Sequence, residues 1–135
     1  MGGELEPLED RATAGSMALE YGLAVPVLLL LVFMTMDVAR LMWTYVTLQR
    51  AVEASARCAA VNPTVCGGAS QIASKAVSEA WGLAVTPSVF TAQTQACGAR
   101  VTANYGFTLL IPWTGTGAQS QPGAITLTLT ACYPL

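Results

Sequence analysis

The chain reads as an α+β protein: a long N-terminal helix, transmembrane in its first half, then a short helix packed on a small three-stranded antiparallel sheet. Three observations predict this. From Ser16 to Met36 there are 21 residues with Glu20 as the one charged side chain, and about 20 such residues span hydrocarbon. Nothing breaks the helical pattern between that run and Asn62–Pro63. Past Arg100 the apolar period changes to two in "RVTANYGFTLLI" and "AITLTLTACY", the alternation of half-buried strands.

The composition excludes several functions. Of 135 residues 53% are hydrophobic and 10% charged, well below the charged share of about 25% in soluble domains. Six basic residues against eight acidic ones leave no basic stripe to neutralise phosphates, so no nucleic-acid partner is expected. Histidine is absent, which removes Ser-His and Cys-His nucleophile pairs and the commonest zinc ligand. Past Ser55 the acids reduce to Glu79, so no convergent acid–base set is expected. The chain is read as a non-enzyme with no cofactor and no metal.

Taken in order, residues 1–15 form a polar, disordered leader. Its acids, Glu4, Glu6, Glu9 and Asp10 against Arg11, do not suit the basic start of a secretory signal peptide. Helix one begins near Ser16, and residues 16–40 form its membrane part. Pro26 removes an internal hydrogen bond and bends it, a cost that packing in membranes absorbs. Residues 41–135 form the outer α+β domain. In it Leu41, Tyr45, Leu48, Val52, Ser55 and Ala59 recur at steps of four and three as one apolar-to-small stripe. Arg50, Glu53 and Arg57 share a solvated face, with Glu53 in the favourable order for an ion pair with Arg57. The helix should stop near "VNP", since a residue before proline is pushed out of helical geometry.

"GGASQIASKAVSEAWGLA" predicts the short helix, with Ile72, Ala73, Ala76, Val77 and Ala80 inward, Lys75 and Glu79 outward, and Gly82 as a stop. "SVFTAQTQAC" is the first and weakest strand, joined to the next by a tight turn at Gly98–Ala99. The second strand puts Val101, Ala103, Tyr105, Phe107, Leu109 and Ile111 on one face. The third does the same with Ile125, Leu127, Leu129, Ala131 and Tyr133. "PWTGTGAQSQPG" is the loop between them.

Cys58, Cys66, Cys97 and Cys132 all follow the apolar run, and no pair has C-x-x-C spacing. An even number on one side of a membrane anchor reads as two disulfides in an oxidising compartment. Three connectivities are available, besides four reduced, buried cysteines. The favoured one joins Cys58 to Cys66 through the short loop "CAAVNPTVC" and Cys97 to Cys132, which a meander sends to the same end of the sheet. Against the second pair, an intervening strand would push the Cα atoms past the ~7 Å limit unless the strand order differs or Cys97 reaches across from the turn. Loop charge opposes this orientation: Arg11 precedes the span while Arg40, Arg50 and Arg57 follow it, which by the positive-inside rule puts the C-terminus in the cytoplasm.

The segment "GSMALEYGLAVPVLLLLVFMTMDVARLMW" resembles the N-terminal signature of TadE-like pseudopilins of the tight-adherence (Flp-type) pilus system. The matching features are Gly15, Glu20 as the fifth residue after it, Pro26 within the run, and an acidic-x-x-Arg step at Asp37 and Arg40. The small-residue helix "LQRAVEASARCAA" extends the match to about Ala60. The resemblance implies a pilin-like fold and cleavage by a prepilin peptidase between Gly15 and Ser16. It implies insertion in a bacterial inner membrane with the N-terminus cytoplasmic and the C-terminal domain periplasmic, against the charge count. The implied partners are other pilin and pseudopilin subunits, the peptidase and the inner-membrane assembly platform, with the subunit incorporated in an extracellular pilus. Glu20 would pair with a neighbouring subunit's new amine at Ser16. The leader departs from the family's usual one, which carries basic residues beside the cut. The contrasting expectation is an uncleaved bitopic membrane protein whose small disulfide-bonded domain serves adhesion or scaffolding.

Overall fold

The computed structural model describes residues 6–110 and 124–134, with side chains from residue 18 onward. Residues 1–5 of the leader, Ile111 and the loop expected at 112–123 lie outside the described residues. The chain divides into two compact units, Met1–Met36 and Asp37–Leu135.

Helix α1 runs Glu6–Val61, 56 residues, and so begins ten residues before the expected start at Ser16. The reason is local. Leucine, glutamate, arginine and alanine in "EPLEDRATAG" favour helix, and Pro7 falls in the first turn where its missing N–H costs nothing. The C-terminal end falls at Val61, before Asn62–Pro63.

In the second unit α1 is followed by α2 (Ala69–Glu79), a 3-10 turn at Pro87–Val89, and strands β1 (Phe90–Gln95), β2 (Gly98–Thr108) and β3 (Ala124–Tyr133). The strands form an antiparallel meander in the order β1-β2-β3. Gln71, three residues into α2, accepts the backbone N–H groups of Gly67 and Gly68 at 3.1 and 3.2 Å, filling part of the demand of that helix start. Gly82 adopts φ +80 in the turn after α2.

Leu48, Val52 and Ala56 of α1, Ile72, Ala73, Ala76 and Ala80 of α2, and Phe90, Val101, Ala103 and Leu129 of the sheet form one buried cluster. Phe90, Ala103 and Leu129 stand opposite one another across the three strands, so alternation alone carries one row of the core. Seven of these clustered side chains are alanine or valine, which lets the layers approach closely. In β3 the inward face is buried at Leu129, while Ile125 and Tyr133 are each 39% exposed, because β3 is an edge and its ends leave the core.

Four details differ from the sequence expectation. Tyr45 is exposed, while Leu48, Val52 and Ser55 of the expected stripe are buried together with Thr44, Thr47, Ala51 and Ala56. The expected stripe repeats every 3.5 residues and drifts around a straight helix of 3.6 per turn. Glu53 accepts a hydrogen bond from Gln49 Nε2 at 2.7 Å, and among the described residues the ion pairs are Arg40–Asp37 and Lys75–Glu79. The β1–β2 turn is Ala96–Cys97, with Gly98 already paired to Gln95. Gly98 has φ +115, and a Cβ there would strike the Tyr133 carbonyl oxygen, so the glycine serves a close approach between strands. Finally, β2 ends at Thr108, leaving Leu109 outside the strand.

Candidate functional site

In the first unit the helix is apolar all round. Every large apolar side chain from Leu19 to Met36 is between 40% and 70% exposed. A helix of that kind is stable in lipid or in a helix bundle. Among the described residues α1 is the one helix long and apolar enough to cross a membrane. Its backbone passes through Gly15 and Ser16, whose side chains lie outside the described set. Glu20 is exposed on the turn after Ser16, the i,i+4 spacing that shares a helix face. Pro26 lies within the helix.

The acidic-arginine step opens the second unit and is tied to its sheet. Asp37 is 6% exposed. Its two carboxylate oxygens accept the Leu110 backbone N–H at 3.1 and 3.0 Å, and Oδ1 also accepts Arg40 Nη1 at 3.3 Å. An ionised acceptor gives a hydrogen bond worth roughly twice a neutral one. This explains why β2 stops early: the Leu110 N–H goes to a helix carboxylate and not to a strand ladder. Arg40 is half exposed, with its guanidinium carbon 5.3 Å from the Phe107 ring centroid, a cation–π distance. Asp37 therefore positions the end of β2, and Arg40 lies at the surface beside it.

One turn further along α1, Trp43 meets Trp81, two residues after α2, edge to face at 5.8 Å. Trp43, Arg40, Leu83, Tyr105 and Phe107 line an open groove of about 570 Å³. Sequence reading did not single out Trp81 or the Leu110 N–H, and it placed Phe107 on the inward face of β2 without assigning it to this groove. A signal for the first was present: Trp81 is the one aromatic residue in "GGASQIASKAVSEAWGLA".

The cysteines pair as Cys58–Cys66, with Cα atoms 5.8 Å apart, and Cys97–Cys132, at 6.3 Å. Cys97 occupies the β1–β2 turn and Cys132 stands opposite Arg100 in β3. The strand order is a plain meander, and the turn position lets the bond cross the start of β2 within bonding range. The first bridge ties the end of α1 to the approach to α2, and Cys66 is fully buried there.

No curated protein and no solved structure matches the chain. A family model described as TadE-like protein matches residues 15–57. The matched stretch holds Gly15, Ser16, Glu20, Pro26, Asp37 and Arg40 and ends one residue before Cys58. Over residues 15–57, which lie wholly within α1 and make up about a third of the chain, the sequence is similar to TadE-like proteins.

Proposed function

We propose that the protein is a minor pseudopilin, cut by a prepilin peptidase between Gly15 and Ser16 and taking part in assembly of a tight-adherence type IV pilus. The observation that carries this reading is the TadE-like match over residues 15–57, on a helix whose apolar surface is exposed all round. In this reading α1 holds the subunit in the inner membrane, N-terminus inside, and its exposed apolar surface later packs against other pilin and pseudopilin helices. The peptidase and the assembly platform are the partners met first. Two disulfides agree with a C-terminal unit in an oxidising periplasm.

Glu20 has a defined part in this scheme. A charged carboxylate at mid-bilayer costs roughly 2.5 to 3.5 kcal/mol, and less near the interface. Cleavage creates an α-amine at Ser16. When subunits stack, the carboxylate of one meets the amine of another, and their attraction in a low-dielectric bundle offsets part of the desolvation of both.

The test is the intact mass and N-terminal residue of the membrane-fraction protein, with and without active peptidase. A peptidase-dependent start at Ser16 is expected. An uncut chain starting at Met1 overturns the reading in favour of the uncleaved bitopic protein. In the processed protein, Glu20→Ala should leave cleavage intact while lowering incorporation into sheared pili by at least about tenfold, one lost charge pair at roughly 1.4 kcal/mol or more.

A further inference from the structure

We propose that the corner formed by Trp43 and Trp81 lies in the headgroup layer of the membrane that α1 enters, making Trp81 a second membrane contact besides the helix itself. The proposal rests on the membrane reading of α1, and it requires neither peptidase processing nor filament assembly.

Position comes first. Trp43 follows Met36, the end of the apolar run, by seven residues, about 10 Å along a helix at a 1.5 Å rise. Helical side chains lean back toward the N-terminus, which returns the indole toward a headgroup layer about 5 to 8 Å deep. Trp81 comes from a different element, and its ring is 5.8 Å from that of Trp43, so it stands at a similar depth.

Exposure is the second observation. Trp43 is 53% and Trp81 66% exposed. Two indoles that touch each other and still present most of their surface are not core packing. An indole has an apolar body and one N–H donor, the combination enriched at membrane–water boundaries.

Charge is the third. Arg40, one turn before Trp43, has a half-exposed guanidinium beside the aromatic groove. Its acidic partner Asp37 is buried and directed at the Leu110 N–H. The corner therefore presents a cation and indoles while its carboxylate is turned inward. A phosphodiester headgroup matches that pattern, with its phosphate at Arg40 and its glycerol and first methylenes against Trp43 and Tyr105.

The experiment uses the full chain in phosphatidylcholine–phosphatidylglycerol vesicles, diluted so that copies rarely meet. Two variants each keep one reporter: Trp81→Phe with Trp113→Phe, and Trp43→Phe with Trp113→Phe. Resistance of all four cysteines to alkylation without reductant verifies the fold. With a nitroxide on the lipid headgroup, both Trp43 and Trp81 emission should fall by at least about twofold, and both should be shielded from iodide. In the otherwise unaltered chain, Trp81→Phe should remove part of the lipid-quenched emission. Quenching of Trp43 with Trp81 unquenched and open to iodide overturns the proposal while the helix anchor stands. Quenching of neither overturns the membrane reading and the proposal together. Shielding of Trp81 from iodide that grows with protein density, without lipid quenching, assigns the corner to a second subunit and also overturns it.

Discussion

Replacing Cys97 and Cys132 together with alanine should lower the unfolding free energy of the C-terminal unit by about 3 to 4 kcal/mol. The bond closes a loop with a sequence separation of 35, and its chief effect is to remove open conformations from the unfolded chain. Both cysteines are exposed, so the substitution leaves no cavity and the loss reports chain entropy with little packing added. The same relation gives about 2 to 3 kcal/mol for Cys58–Cys66, with a separation of 8. Removing that pair also deletes the buried Cys66 sulfur from the core cluster, so its measured cost should exceed the entropic figure. Urea denaturation of the detergent-solubilised chain, followed by tryptophan emission, measures both. A change below about 1 kcal/mol for the Cys97–Cys132 pair would mean that the unfolded chain is compact at that loop without the bond.

Asp37→Ala should destabilise the same unit by about 2 to 3 kcal/mol, because it leaves the Leu110 N–H without its carboxylate acceptor at a part-buried site. Asp37→Asn keeps one acceptor oxygen and should cost less. Arg40→Gln should cost below about 1 kcal/mol, since the guanidinium is half exposed and its ion pair is screened. The order Ala above Asn above the arginine change is the diagnostic outcome in the same denaturation assay. Amide exchange at Leu110 should quicken in Asp37→Ala ahead of exchange in β1. If Arg40→Gln proved the costliest of the three, the contact of its guanidinium with Phe107, and not the backbone hydrogen bond, would be what ties α1 to the end of β2.

Much of the architecture was legible because it rests on one-dimensional properties. The apolar run is a sum over neighbouring residues, and the shift from a helical period to alternation is a spacing. Both survive whatever the chain later packs against, so α1, α2 and the three strands fell near their expected places. The resemblance along α1 was legible for the same reason, resting on short spacings on one helix, and a TadE-like family model matches residues 15–57 there.

What failed depended on a second piece of chain. The stripe through Tyr45 was drawn at an average spacing, and which side of α1 is buried was decided by the surface that met it. The turn was placed at Gly98 because glycine marks turns, yet Gly98 is required where β2 passes the Tyr133 carbonyl, from a strand more than thirty residues later. The Cys97–Cys132 bond is reachable because Cys97 lies in the turn, beyond the end of β1 at Gln95, and no spacing within the strand carries that placement.

By itself, then, the sequence determined that this chain has one long apolar helix, an α+β unit after it, and a carboxylate, Glu20, set near the start of the apolar run. Only the tertiary structure decided that Asp37 holds the Leu110 N–H, 73 residues away, and that Trp43 and Trp81 meet at an exposed corner. Helical and strand preferences are set by neighbours a few residues off. The partner of a buried carboxylate or an exposed indole is set by how those elements fold back on one another, and no local spacing carries that information.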